Sequence, residues 1–222
     1  MSMYVHLVVG IFEALSIGYQ YAYSHQFGIY GVSQVGKTTL NNQLRTRGEV
    51  PDIKKRTVGK CRTSRKIIKM HGHTKVMKST DIGGEAKYWD LWLQDIEKRK
   101  VKYVIFMIDD RHLTRKFNNE QLWAWEYLIK ILTDNNWSNG KRKKNRDYPK
   151  HISIWANKYD LWKEKYEHDG PIEKHPIFLP FQSGLEQLQD RGVPCSKFIV
   201  SAKSDPDMVY RGIMTMFGGV TL

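Results

Sequence analysis

The stretch "GVSQVGKTTLNNQL", residues 31 to 44, places two glycines five positions apart and follows the second directly with lysine and threonine. A short apolar run, QFGIYG (26 to 31), comes before it, and KTTLNNQL continues with helical character, so the local order reads strand, loop, helix. Gly31-x-x-x-x-Gly36-Lys37-Thr38 fits the P-loop pattern throughout. Glycines let the backbone N–H groups of Ser33, Gln34, Val35 and Gly36, with those of Lys37, Thr38 and Thr39 at the helix start, curl around a phosphate. Lys37 then reaches the terminal phosphates and the Thr38 hydroxyl faces Mg²⁺. The expected ligand is a nucleoside polyphosphate with its metal.

Working outward, VKYVIFMI (101 to 108) is nearly continuous apolar sequence closed by Asp109, the pattern of a strand buried on both faces of a parallel sheet. HISIWA (151 to 156) and KFIVSA (197 to 202) repeat it. Helical periodicity fills the intervals at 86 to 98, 119 to 133, 181 to 190 and 207 to 217, with Leu122, Trp125, Leu128, Ile129 and Leu132 predicted on one buried face. Strands alternating with helices indicate an open α/β sheet with crossover helices. RKIIKMHGHTKVMKSTD reads differently, as two strands joined by a turn at His71-Gly72-His73, an antiparallel hairpin in which the two histidines supply turn polarity rather than a metal site.

The chain has 222 residues and no Pro/Gly/Ser-rich linker, so one domain is expected over 26 to 222, preceded by an apolar segment at 1 to 25. Cys61 and Cys195 are the two cysteines and belong to no Cys/His cluster, which disfavours disulfide scaffolds and zinc fingers and fits a reducing, cytoplasmic setting. The formal charge of +13 is concentrated: residues 54 to 69 hold eight basic residues and no acid, and 137 to 150 hold six and one, while the rest of the chain balances. That placement suits an anionic partner, either an acidic effector or, with weaker support, a nucleic acid. A solvated basic loop is the plainer reading. Between residues 3 and 23, His6, Gly10, Glu13, Ser16 and Gln20 recur at helical spacing and leave a wide apolar face. That segment reads as a helix docked on the domain or a partner, with peripheral membrane contact or an extra strand as alternatives.

The base is chosen further on. Asn157 to Asp160, NKYD, follows a predicted strand, where open α/β sheets bind ligands. The Asp160 carboxylate can accept from both N1–H and the exocyclic amine of guanine, whereas adenine leaves that charge unmatched. Lys158 can lay its stem across the base, and Asn157 can tie this loop to the P-loop. In Ser201-Ala202-Lys203 the Ala202 N–H is expected toward the guanine O6 and Lys203 over the other face of the ring. The cofactors implied are GTP and GDP with Mg²⁺. In DIGGE, Asp81 lies within reach of Mg²⁺ and the Gly84 N–H within reach of a γ-phosphate oxygen, while Thr57 in RTVGK can close over the metal when that phosphate is present.

This order of motifs resembles the Ras-like small GTPases, and within them the Arf/Sar type, over roughly residues 26 to 218. The Arf-like marks are TVGK before the hairpin, DIGGE, the tryptophan-rich KYWDLW and the apolar segment ahead of the P-loop. The resemblance implies a mostly parallel six-stranded sheet with one antiparallel strand. It also implies Thr57 in a first switch, Asp81 to Glu85 in a second, and a switch cycle that controls an effector and is read by an activating partner. The alternative is a poorly hydrolysing GTP-bound assembly or anchoring module. Four features depart from the family pattern: the basic insertion at 137 to 150, the polar stretch 163 to 177, an N-terminal segment with Ser2 where Arfs have an acylated glycine, and Glu85 in place of the usual glutamine. Glutamate can accept from an attacking water but cannot donate to a γ-oxygen, and its charge opposes an anionic transition state. It therefore reads as a brake on the slow hydrolysis assigned to Lys37, Gly84 and this position, with a general-base role as the alternative.

Overall fold

A computed structural model of the chain describes residues 25–46, 57–61, 64–70, 73–114, 119–133, 149–166 and 168–217. The segment 3–23, the basic stretch 137–148 and the His71-Gly72 turn lie outside the described residues, and so do the readings made of them. Among the described residues are six strands: β1 (His25–Tyr30), β2 (Ser64–Met70), β3 (His73–Thr80), β4 (Tyr103–Ile108), β5 (His151–Ala156) and β6 (Cys195–Ile199). The five strands in the order β3-β1-β4-β5-β6 form an all-parallel sheet. Along its β3 edge, β2 runs antiparallel in a register from Ser64 opposite Ser79 to Met70 opposite His73. The longer helices among the described residues are α1 (Lys37–Thr46), α2 (Trp89–Arg99), α3 (Glu120–Thr133), α4 (Gln182–Gln189) and α5 (Pro206–Met216), with short four-residue helices at Arg111–Thr114 and Tyr159–Trp162.

Apolar continuity explains the centre of the sheet. Val104 to Ile108 of β4 are all at 0% exposure, as are Ile152, Ile154, Trp155 and Ala156 of β5, because helices cover both faces. On α3 the buried set is Trp125, Leu128, Ile129 and Leu132 as the periodicity predicts, joined by Gln121, Ala124 and Ile131; Leu122 is only half-buried. The boundaries shift where local chemistry outranks hydrophobicity. Residues 86–88 form a 3₁₀ turn before α2, and α2 stops at Lys100, which takes the left-handed conformation at φ 52°. The last strand starts at Cys195 rather than Lys197 and ends at Ile199, leaving Val200–Lys203 as a loop. At α5, the Asp205 carboxylate accepts from the Met208 N–H at 3.0 Å and Pro206 occupies the first turn, a capped start. The polar stretch 163–177 holds 3₁₀ turns at Lys163–Lys165 and Ile172–Lys174 and runs into a third at Pro176–Phe181, whose Ile177, Phe178 and Phe181 are buried. It is tied to the end of β4 through the buried His112, whose ring nitrogens lie 2.8 Å from the Asp109 carbonyl and 2.9 Å from the Ile177 carbonyl. No helix among the described residues is long and apolar enough to cross a membrane.

Parallel strands deliver their carboxyl ends to one edge, so the loops after β1, β4, β5 and β6 converge there. The helix beside that edge, α2, is anchored by charge. Asp95 is fully buried and accepts from the Arg99 Nε at 2.9 Å and from its Nη2, from the Lys60 Nζ at 2.8 Å and from the Tyr30 hydroxyl at 3.1 Å. Arg99 in turn donates to the carbonyls of Phe27 at 2.6 Å and Lys78 at 2.9 Å. One carboxylate thus joins α2 to β1, β3 and the segment 57–61.

Burial alone would push the Asp95 carboxyl up, but the hydrogen bond and charge of Arg99, with Lys60, hold it below the usual carboxylate range. A depressed folded value means that stability is present above the unfolded value of about 4 and is lost as pH falls through the folded one. Asp95→Ala, which strands two cations, is expected to cost about 3–5 kcal/mol in urea unfolding. Asp95→Asn is expected to flatten the loss of stability below about pH 4; an acid limb identical to that of the parent would remove Asp95 as its source.

Candidate functional site

The turn from β1 into α1 has backbone conformations that few residues accept. Gly31 and Gly36 have φ of +135° and +97°. A side-chain carbon on Gly31 would lie 2.3 Å from the Met107 carbonyl oxygen, and one on Gly36 would lie 2.2 Å from the Asn157 Nδ2. Gln34 between them is also left-handed, at φ 66°. Side chains from three elements bind the loop's carbonyls: the Lys37 Nζ donates to Val32 at 2.8 Å, the Arg111 Nη2 to Ser33 at 2.8 Å, and the Asn157 Nδ2 to Val35 at 2.9 Å. Burial pushes the Lys37 ammonium down to about 8, against the opposing pull of Asp81. A desolvated cation beside a loop whose carbonyls are already bound by side chains is suited to a multiply charged anion.

Beside it, three oxygens meet. The Thr38 hydroxyl donates to the Asp81 Oδ2 at 2.7 Å, the Thr57 hydroxyl donates to the same oxygen at 3.0 Å, and the two hydroxyls are 2.9 Å apart. The Asp81 Oδ1 is buried with no hydrogen-bond partner. One carboxylate with a spare buried oxygen and two hydroxyls fit a hard cation such as Mg²⁺, which takes few protein ligands and completes its shell with water and phosphate. Among the described residues no group of three His, Cys, Asp or Glu could hold a metal without such help. Thr57 is held there by β-like bonds from Cys61 N–H to the Asp81 carbonyl at 2.9 Å and from Gly83 N–H to the Gly59 carbonyl at 2.8 Å.

From this loop a cavity of about 410 Å³ extends toward the ends of β5 and β6. Its walls bring together Ser33, Gln34, Gly36, Lys37, Thr38 and Thr39 with Thr57 and Gly84, and, at the far end, Asn157, Lys158, Asp160, Ala202 and Lys203. Asn157 is the brace between the two ends, donating to Val35 and accepting from the Ala202 N–H at 2.9 Å. That bond corrects the expectation that the Ala202 N–H faces the ligand: it is already engaged by the loop's own amide. Ser201 is likewise a positioning group, its buried hydroxyl accepting from the Asp160 N–H at 3.0 Å. Lys158 is left-handed at φ 64° and its ammonium donates to the Asp109 Oδ2 at 2.8 Å, so its stem runs along the cavity with its charge already paired.

Gly31, Val35, Asp81, Ser201 and Glu85 are not on the cavity wall. Val35 is wholly buried and contributes only backbone. Glu85 caps the 3₁₀ turn before α2, and its Oε2 pairs with the Lys87 Nζ at 2.8 Å, so the carboxylate meets a neighbouring cation rather than the cavity. Three contributors were not singled out by the sequence. Leu161, 68% exposed, adds an apolar wall beside Asp160. Asp109 and Arg111, just beyond β4, carry a sequence signal only in retrospect: charged residues directly after an apolar strand, at the edge where the other loops converge.

No protein-family model matches the chain, and no curated protein matches it.

Gly84 sits flush against the loop, where a side-chain carbon would lie 2.4 Å from the Ser33 nitrogen, 2.3 Å from the Val32 carbonyl carbon and 2.6 Å from the Gly31 oxygen. These are backbone atoms that cannot swing aside. Gly84→Ala is therefore expected to displace residues 83–84 from the loop, measurable as faster amide hydrogen exchange over 81–85 with an unchanged sheet. Unaltered exchange there would show that the close approach is dispensable.

Proposed function

We propose that the chain is a small GTPase of the Ras-like superfamily, nearest the Arf/Sar type and built on a P-loop nucleotide-binding fold, that binds Mg²⁺–GTP and GDP and switches a partner between two states. The observation that carries the reading is the cavity itself. Residues from five stretches separated in sequence line one cleft: Ser33, Gln34 and 36–39 from the glycine loop and helix start, Thr57, Gly84, then 157–158 with 160–161, and 202–203.

Lys37 and the loop N–H groups would hold the phosphates, and Asp81, Thr38 and Thr57 the metal. Mg²⁺ when bound would neutralise phosphate charge. Lys158 and Lys203 flank the base end, Asp160 offers the carboxylate that selects guanine, and Asn157 keeps the two ends in register. The switching elements are 57–61 and 81–85, which are hydrogen-bonded to each other and share the Thr38–Thr57–Asp81 cluster, so a ligand that engages those oxygens acts on both. Hydrolysis is assigned to water attack at the terminal phosphate, with Gly84 and Lys37 stabilising the anion. The Glu85–Lys87 pair lowers the charge that the glutamate adds nearby.

Three measurements bear on this reading. Native protein is expected to bind GTP and not ATP, with Lys37→Ala or Thr38→Asn abolishing tight Mg²⁺–GTP binding in calorimetry; equal affinity for GTP and ATP ends the guanine assignment. Asp160→Asn is expected to shift preference toward xanthine nucleotides, since unmatched polar groups cost about 1–3 kcal/mol. Single-turnover hydrolysis by native protein is expected to be no faster than the intrinsic rate of Ras, on the order of 10⁻⁴ per second, with Glu85→Gln faster. A slower glutamine variant would instead make Glu85 a general base.

A further inference from the structure

Asp109 occupies a position that the nucleotide reading does not use. It is 1% exposed, with both backbone groups fixed: its N–H donates to the Gln121 Oε1 at 3.0 Å and its carbonyl meets the His112 ring. Its Oδ1 accepts from the Arg111 Nε at 2.8 Å and the Gln121 Nε2 at 2.8 Å, and its Oδ2 from the Lys158 Nζ at 2.8 Å. Arg111 is thereby held with its Nη2 2.8 Å from the Ser33 carbonyl oxygen.

A trans peptide points its C=O and N–H in opposite directions. Arg111 is not on the cavity wall whereas Ser33 and Gln34 are, so the Ser33 carbonyl bound by Arg111 faces away from the cavity. The N–H of the next residue, Gln34, is then turned toward it. Gln34 needs such a hold, because its left-handed φ of 66° is a conformation that a non-glycine residue adopts at a cost of about 1–3 kcal/mol.

We propose that Arg111, fixed by Asp109, is a positioning residue that locks the Ser33–Gln34 peptide with its N–H toward the bound polyphosphate, while the same carboxylate sets Lys158 at the base end. The inference rests on the functional reading above and adds a specific division of labour: Arg111 serves the phosphate end alone, and Asp109 serves both ends. Neither touches the ligand.

The test titrates full-length protein with GDP directly and with guanosine by competition, which shares the base but lacks phosphate. Losing a charge-assisted hydrogen bond to the loop is expected to weaken GDP about tenfold in Arg111→Ala while guanosine changes less than twofold. The β-phosphorus resonance of bound GDP is expected to move as well. Arg111→Lys keeps the charge but has one ammonium for two acceptors, so an intermediate loss confined to GDP is expected, and it carries the same test if the alanine variant does not fold. Asp109→Asn is expected to weaken both ligands.

GDP affinity unchanged in both Arg111 variants, or losses equal for GDP and guanosine, would overturn the phosphate-end role with the nucleotide reading intact. An Asp109→Asn loss confined to GDP would overturn the base-end half. A native protein that binds neither ligand removes the functional reading, and this inference with it.

Discussion

Everything at the working edge of this molecule depends on turning a short stretch of backbone inside out. The Gly31–Gly36 loop can offer N–H groups to a ligand only if its carbonyls are satisfied elsewhere, and buried carbonyls without donors are costly. The donors are Lys37 from the start of α1, Arg111 from just beyond β4 and Asn157 from just beyond β5. They reach the loop because β1, β4 and β5 lie side by side and parallel. The sheet's topology is therefore part of the site: an antiparallel neighbour would send its following loop to the opposite edge.

A second layer of constraint is ionic. Asp95 gathers Arg99, Lys60 and Tyr30, and Asp109 gathers Arg111, Lys158 and Gln121. Each carboxylate is nearly or fully buried, and each is held below the usual range because its partners outweigh the burial that would raise it. The two hubs divide the edge. The first fixes the helix after the glycine pair and the segment carrying Thr57, and the second fixes the glycine loop and the turn carrying Lys158.

The parts legible in the sequence were those governed by local rules. Glycines at 31 and 36, the apolar runs of β4 and β5 and the short strings at 157–160 and 201–203 each carry their meaning within a few residues, and Gly36, Asn157, Lys158, Asp160, Ala202 and Lys203 meet on one cleft. What escaped were side-chain partnerships across the fold. Asp95 lies 65 residues from Tyr30 and Arg111 lies 78 from Ser33, separations at which no periodicity links two residues. The Ala202 N–H was misassigned for the same reason: that Asn157 uses one amide end on Val35 and the other on Ala202 follows only from three-dimensional proximity. The boundary of the last strand slipped by two residues because Cys195 and Ser196 are weak hydrophobic signals, yet they pair in register with Ile152 and Ser153.

The Gly83–Gly84 pair is watched from one side by two indoles: the Trp89 Nε1 donates to the Gly84 carbonyl at 3.1 Å and the Trp92 Nε1 to the Gly83 carbonyl at 3.4 Å. Trp92 is wholly buried, and the two rings lie 5.7 Å apart, close enough to share excitation. Indole emission responds to the dipoles at its N–H, so rotation of either glycine peptide changes the colour or yield of the light. Of the chain's seven tryptophans, these two carry the glycine peptide planes beside the cleft into their own surroundings.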